Sequence, residues 1–178
     1  ANETKLAFVQ ISAIFTGVAD LKKTFEAARA RRGTGQGTLL FVDEIHRFNK
    51  AQQDVLLPHI ERGTLRFIGA TTHNPFFYIN GPLVSRSQVF TLEALSPTDL
   101  EALVDSAVAD KERGLGNLNL VITPEARAHL AFVSDGDARK CLTALELAAL
   151  SSMPREDGSI LIDTDVAEQS VQQKVVVY

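Results

Sequence analysis

Two adjacent acids, Asp43 and Glu44, directly follow the continuous apolar residues 39–42. Such a run is typical of a strand that is buried on both faces of a parallel sheet, and these sheets bind ligands at the carboxyl ends of their strands. An Asp at that point can hold the water shell of Mg²⁺, and the following Glu can polarise a water that attacks a γ-phosphate. The pair therefore predicts a Walker B arrangement. The alternative is two acids that end a surface strand.

Three further segments carry residues that suit the same reaction. Thr71 and Thr72 end the next predicted strand, where either hydroxyl can orient an attacking water. Arg86 and Arg139 are cations of the kind that stabilise charge on transferring phosphoryl oxygens. Each segment alone is also explained as a strand end, a surface salt bridge or the polar start of a helix. The order and spacing of all four sites favour the functional interpretation.

The apolar patterns predict the elements that position these residues. Alternating strands and helices indicate an α/β layered sheet in the first half of the chain. Pro58 is expected to kink the helix that contains it. Strands are predicted at residues 5–11, 38–42 and 65–70, and the last two are expected to be buried. Helices are predicted at residues 18–32 and 49–61.

The second half of the chain reads as a small helical bundle. Ser96, Pro97 and Asp99 form a helix start signal, with a capping Ser and an acid three residues later. Further helices are predicted from 124, over 137–150 and over 163–171. We therefore place one domain at residues 1–95, a small all-α domain at 96–172 and the start of a further C-terminal region at 173–178.

Composition restricts the class of protein. The 178 residues are 45% apolar and 22% charged, which is ordinary for a soluble domain, and no apolar run approaches a membrane span. The single cysteine, Cys141, and the lack of a signal peptide favour a reducing, cytoplasmic location, with no membrane contact and no structural zinc. A net charge of −4 argues against general attraction to nucleic acid.

Residues 43–54 and 68–75 resemble the replication-associated recombination protein A family, which includes the eukaryotic Werner helicase-interacting protein. This family belongs to the clamp-loader-like AAA+ ATPases, and the resemblance is most specific between residues 38 and 95. It implies a parallel-sheet P-loop NTPase (AAA+) core, truncated at its N-terminus and followed by an all-α lid. It also implies ATP and Mg²⁺ as ligands, a homo-oligomer, DNA as a partner, and action at stalled or damaged replication forks.

The resemblance assigns a role to each candidate residue. Either Thr71 or Thr72 corresponds to sensor 1, and the choice between them stays open. Ser87 stands where the clamp-loader pattern usually has Cys, a departure of little expected consequence. The remaining assignments are Asp43 and Glu44 to Walker B, Arg86 to an arginine finger that acts on ATP of the neighbouring subunit, and Arg139 to sensor 2.

The phosphate-binding loop of the family is not found in these residues. Gly33, Gly35 and Gly37 form a Gly-rich stretch, but it precedes a strand and lacks the Lys-Ser/Thr that such a loop requires. Both ends of the chain therefore look like truncations. We expect the 178 residues alone to bind ATP weakly or not at all and to be inactive, whereas the complete protein is an ATPase.

Two other functions fit part of the sequence. Residues 43–46 also spell the DExH signature of superfamily 2 helicases, but the second sheet domain and Arg-containing motif of that class are not evident. The chain could instead be a degenerate interaction scaffold, since without a phosphate loop it lacks the backbone cradle and the lysine that bind the β- and γ-phosphates.

Overall fold

Three parallel strands form the framework of the first half of the chain. In the computed structural model, which describes residues 4–176, the middle strand pairs with one neighbour on each side. Ser12 aligns with Asp43 and Val42 aligns with Gly69, so the carboxyl ends of all three strands lie at one edge. The predicted α/β parallel sheet is confirmed. Its strands are β1 (Ala7–Ser12), β2 (Thr38–Asp43) and β3 (Arg66–Gly69).

Helices connect these strands and follow the last of them. Asn49 caps one helix in both directions, since its side chain accepts a hydrogen bond from the Gln52 N–H and its own N–H donates to Gln52 Oε1. Pro58 lies inside this helix, within its last turn. The elements are α1 (Val18–Gly33), a 3₁₀ turn (Ile45–Arg47), α2 (Lys50–Glu61), α3 (Pro75–Tyr78) and α4 (Gly81–Val84).

The first hydrophobic core lies around β2. Leu40 and Val42 on this strand are fully buried, together with Leu21 of α1 and Leu56 of α2. Each such side chain stabilises the fold by roughly 1.5–3 kcal/mol relative to its exposed state. This packing fixes the strand that ends at Asp43.

β3 differs from its prediction as a buried strand. Its residues are mostly exposed, and 47% of the surface of Ile68 is accessible. Among the described residues β3 pairs only with β2, so one edge and much of its surface have no neighbour. The apolar run at 65–70 therefore predicts the strand but not its exposure.

The second half of the chain is mainly helical, as predicted, and has its own core. Ser96 and Thr123 cap the first two helices through their hydroxyl oxygens. A short parallel ladder, which the sequence does not predict, joins two three-residue strands. The elements are α5 (Pro97–Ala109), β4 (Leu120–Ile122), α6 (Pro124–Val133), α7 (Ala138–Ser151), β5 (Ile160–Ile162) and α8 (Thr164–Val176). Within the described range, no helix combines the length and apolarity needed to cross a bilayer.

The chain divides into two units between Phe90 and Thr91. The predicted domain boundary lies a little later, between residues 95 and 96. Of the predicted C-terminal region at 173–178, residues 177 and 178 lie outside the described part of the chain, and α8 extends to Val176.

Candidate functional site

Asp43 and Glu44 stand at the carboxyl edge of the parallel sheet. Asp43 is the last residue of β2, lies opposite Ser12 of β1, and is half-buried. One of its carboxylate oxygens, Oδ1, accepts a hydrogen bond from the Glu44 N–H at 3.1 Å. Neighbouring strand ends thus hold Asp43 at the edge where open α/β sheets bind their ligands.

The backbone leaves β2 through an unusual conformation at Glu44. Its φ of 54° and ψ of 43° lie in the left-handed region, which costs a non-glycine residue roughly 1–2 kcal/mol. Hydrogen bonds on both sides impose this turn: Ile45 N–H donates to the Ala70 carbonyl at 3.0 Å, and Ala70 N–H donates to the Val42 carbonyl at 2.9 Å. Strain of this kind concentrates at functional sites.

Gly69 allows this turn to pack closely against β3. A Cβ at position 69 would lie 2.8 Å from the Phe67 ring and 3.2 Å from Cδ1 of Ile45. Ile45 is buried, so its side chain uses the space that glycine leaves. Ile45, which directly follows Glu44 in this turn, is therefore anchored in the core.

His46 joins this turn to the loop that follows β3. Its side chain is only 4% exposed, and its Nδ1 lies 2.9 Å from Oγ1 of Thr71. Its Nε2 lies 3.2 Å from Oε2 of Glu44, within ion-pair distance, although the geometry is not that of a hydrogen bond. One buried ring thus contacts both the candidate base and the loop that carries the two threonines.

The surroundings of His46 keep it neutral. Burial and then the nearby His73 lower the pKa of His46 below its usual 6.5, Arg47 lowers it slightly further, and Glu44 opposes these effects. The His73 ring meets the His46 ring edge-on at 4.1 Å between centroids, and Tyr78 packs against His73 at 4.6 Å. Near pH 7 the ring therefore carries one N–H and one lone pair.

The two threonines have different surroundings. The Thr71 hydroxyl contacts His46 and accepts a hydrogen bond from the His73 N–H at 3.0 Å, so it already has two partners within the protein. Thr72 is exposed, and its hydroxyl makes no hydrogen bond to the described residues. Of the pair, Thr72 has the hydroxyl that is available to a bound water.

Arg86 follows α4 and is tied to residues of its own chain. Its Nε lies 2.7 Å from Oε1 of Glu61 at the end of α2, and its Nη1 donates to the Pro82 carbonyl at 2.9 Å. The side chain is 45% exposed. The guanidinium is therefore oriented but still accessible.

Arg139 belongs to the second unit, in the first turn of α7. Asp137 caps this helix, accepting hydrogen bonds from the N–H groups of Arg139 and Lys140. Gly136 precedes the cap with a φ of 77°, which favours glycine. Arg139 is exposed, and across the described residues its guanidinium has no hydrogen bond or ion pair.

The acidic pair fits a magnesium ion that is held jointly with phosphate. Among the side chains that the structure describes, no cluster of three or more His, Cys, Asp or Glu residues is suited to a metal. Mg²⁺ usually keeps several waters and binds through one or two carboxylates plus substrate phosphates, so a single half-buried Asp43 is adequate. A metal bound by protein ligands alone does not fit these residues.

The structure brings some of the predicted residues together and adds others. Glu44 and Thr71 are linked through His46, the Asp43 carboxylate accepts a hydrogen bond from the Glu44 N–H, and Arg86 pairs with Glu61. Sequence reasoning missed both His46 and Glu61 as parts of the site. His46 was visible only as the last letter of a DExH signature, and no sequence signal marks Glu61.

Comparisons with known proteins agree with this architecture. A model of the ATPase family associated with various cellular activities (AAA) matches residues 1–94, and a model of the AAA C-terminal domain matches residues 116–178. The first match covers the unit with the parallel sheet and the acidic pair. The second covers most of the helical unit.

Curated relatives and solved structures add detail. Replication-associated recombination protein A of Escherichia coli K12 is 49% identical over 140 residues, covering 79% of this chain and 31% of that protein. ATPase WRNIP1 of Dictyostelium discoideum is 44% identical over 148 residues, covering 83% of this chain and 17% of that protein. A mutant RuvB of Thermotoga maritima shares the fold, with a TM-score of 0.69 at 20% identity over 94% of this chain and 53% of RuvB. The chain thus spans about a third of the bacterial relative.

Proposed function

The chain belongs to the AAA family of ATPases, and on this basis we propose that the complete protein hydrolyses ATP at the carboxyl edge of its parallel sheet. One observation carries the proposal. Glu44 stands directly after β2 in a strained backbone conformation that hydrogen bonds from β3 impose. A carboxylate fixed at that edge is placed where a ligand of an open α/β sheet binds.

Each residue of the edge has a part in this proposal. Bound Mg²⁺ would neutralise charge on the β- and γ-phosphates, and Asp43 would hold its water shell. Glu44 accepts a proton from the attacking water, because it stands directly after β2 at the edge where the triphosphate would bind. Thr72 orients that water, since its hydroxyl is the accessible one, whereas Thr71 holds His46.

The two arginines complete the site in different ways. The accessible guanidinium of Arg86 stabilises charge on ATP bound by the neighbouring subunit of a homo-oligomer. The family resemblance assigns Arg139 to sensor 2, a cation that acts on the γ-phosphate, and its exposed side chain has no partner in the described chain. Both are cations of a type that binds phosphate oxygens bidentately.

The relatives' names support a role in maintaining DNA. Replication-associated recombination protein A and ATPase WRNIP1 share 44–49% identity with this chain. We propose that ATP turnover drives remodelling of DNA or of DNA-bound complexes. A net charge of −4 implies that DNA contacts are local or lie in sequence outside these 178 residues.

This proposal is favoured over both alternatives. A superfamily 2 helicase requires a second sheet domain, whereas the described residues after Phe90 form a mainly helical unit. A degenerate scaffold would not need a strained acid at the strand end. Because no Gly-rich loop followed by Lys-Ser/Thr occurs in these 178 residues, we propose that they bind ATP weakly by themselves.

A substitution of Glu44 tests the proposal. In the complete protein, Glu44→Gln should retain ATP binding while steady-state hydrolysis falls by about 10²–10⁴-fold, because the amide cannot accept a proton. Glu26→Gln on the exposed face of α1 is the matched control and should hydrolyse ATP at the wild-type rate. Wild-type turnover by Glu44→Gln would remove the assignment of the base, whereas absence of ATP turnover by the complete wild-type protein would favour the scaffold.

A further inference from the structure

His46 occupies a position that an apolar side chain would ordinarily fill. Its side chain is 4% exposed, yet both ring nitrogens face polar atoms, Oγ1 of Thr71 at 2.9 Å and Oε2 of Glu44 at 3.2 Å. Burying polar nitrogens costs free energy unless they gain partners. The ring is therefore placed for its contacts and not only for its volume.

The contacts of the ring with Thr71 and with Glu44 together favour one position for its single N–H hydrogen. The Thr71 oxygen already accepts from the His73 N–H, so its single hydroxyl hydrogen is free to donate to Nδ1 of His46. The neutral ring then carries its hydrogen on Nε2, which faces Glu44. The opposite tautomer would set a nitrogen lone pair against the carboxylate, which is unfavourable.

The Nε2 contact with Glu44 is close but not fully aligned. Nε2 is buried and lies within 3.2 Å of the carboxylate, yet the pair does not satisfy hydrogen-bond geometry. Such contacts at catalytic sites are often loose without ligand and tighten in the substrate complex.

We propose that His46 is a positioning residue that sets the placement of the Glu44 carboxylate and makes it depend on the loop that follows β3. This inference rests on the proposed role of Glu44 as the base. The chain of contacts runs from the His73 N–H through Thr71 and His46 to Glu44. The loop that carries the water-orienting Thr72 and the residue that takes the proton are thereby linked through one ring.

Two substitutions separate the two contacts of the ring. In His46→Asn the amide can reach the Nδ1 position and retain Thr71, but it cannot reach Glu44. In His46→Gln the amide can reach the Nε2 position and retain Glu44. Thr71→Val breaks the link at the loop without changing the ring, and it serves as a second variant should His46→Asn fold poorly.

The measurements are kcat and KM for ATP in the complete protein, with each change made in the wild-type and in the Glu44→Gln background. We expect His46→Asn to lower kcat by about tenfold with KM changed less than about twofold. Thr71→Val should act in the same direction, and His46→Gln should retain more activity than His46→Asn. In the Glu44→Gln background none of these changes should lower the residual single-turnover rate further.

The test depends on whether the rate losses caused by the His46 and Thr71 substitutions add to the loss caused by Glu44→Gln. Equal proportional losses in both backgrounds, or no loss in kcat from His46→Asn or Thr71→Val, would overturn the positioning role. If Glu44→Gln itself turns over ATP at the wild-type rate, the proposed role of Glu44 as the base fails and not the assignment of His46 alone. The two failures are therefore distinguishable within one set of proteins.

Discussion

The Nε atom of Arg86 lies 2.7 Å from Oε1 of Glu61, the last residue of α2. A second nitrogen, Nη1, donates to the Pro82 carbonyl and lies 3.3 Å from Oγ of Ser85. Both charged side chains are nearly half exposed, so the pair contributes little to stability. Its consequence is orientation, because the pair fixes the direction of a guanidinium group whose side chain is still 45% exposed.

Substitution of Glu61 should therefore affect activity more than stability. We predict that Glu61→Gln lowers kcat of the complete protein by about two- to fivefold, since a freer guanidinium loses orientation. The free energy of unfolding should change by less than about 0.5 kcal/mol. Steady-state ATPase assays and chemical denaturation measure the two effects, with Glu26→Gln as the control. A rise in kcat would instead mean that Glu61 restrains the arginine.

Mixed oligomers test whether Arg86 acts between subunits. Arg86→Ala and Glu44→Gln proteins should each be nearly inactive alone, whereas a mixture should recover activity. Recovery is expected because an Arg86→Ala subunit keeps its own Glu44 and receives an intact Arg86 from its neighbour. The ATPase rate is measured across mixing ratios after subunit exchange. Absence of recovery at every ratio would place Arg86 in its own subunit's site or outside any site.

His59 predicts a pH dependence of stability in the first unit. Its ring is buried and stacks on Phe25 at 3.9 Å, and burial, followed by Arg29 and then Arg62, lowers its pKa below the usual 6.5. Since the unfolded chain then binds a proton before the native protein does, the free energy of unfolding should fall as pH drops through 6.5 towards the native pKa.

Replacing this ring should flatten that dependence. His59→Phe keeps the stack on Phe25 and removes both the titrating group and the buried Nδ1 that lacks a hydrogen bond. Chemical denaturation of both proteins at pH 7.5 and pH 5 measures this dependence. Between these two pH values the free energy of unfolding should fall less for the variant than for the wild-type protein. Equal losses would mean that other groups, including His46, account for the acid sensitivity.

We predict that removal of the cap at Ser96 lowers the stability of α5 and not that of the other helices. Ser96 Oγ accepts from the Asp99 N–H, and the Asp99 carboxylate accepts from the Ser96 N–H at 3.0 Å. Ser96→Ala should reduce the opening free energy of α5 by about 1 kcal/mol, measured by native-state hydrogen exchange. Ser106→Ala, in the same helix but bonded only to the Ala102 carbonyl, should change it little. Equal effects of the two changes would contradict the capping role.

The elements that sequence predicts best are those with strong local signals. The apolar run before Asp43 locates β2, and the Ser96 and Thr123 caps locate the starts of two helices. The three-residue strands β4 and β5 are too short to show a periodicity. The exposure of β3 depends on its neighbours in the sheet and not on its own residues.

The contacts within the site were less predictable because they join distant segments. The His46–Thr71 contact spans 25 positions, and the Glu61–Arg86 pair likewise connects different elements. Local pattern identifies Asp43 and Glu44 as candidates, but it does not show which side chains hold them. The structure also gives the hydroxyl groups of Thr71 and Thr72 different surroundings, whereas the sequence alone does not distinguish the two residues.

The structure of the complete Glu44→Gln protein bound to ATP and Mg²⁺ tests the central claim most directly. We predict a metal about 4 Å from the Asp43 carboxylate, the length of one metal-bound water plus a hydrogen bond, or in direct contact with it. The side chain at position 44 should face the γ-phosphate, with Thr72 beside the attacking water. A triphosphate bound elsewhere, with both positions 43 and 44 turned to bulk solvent, would contradict the account.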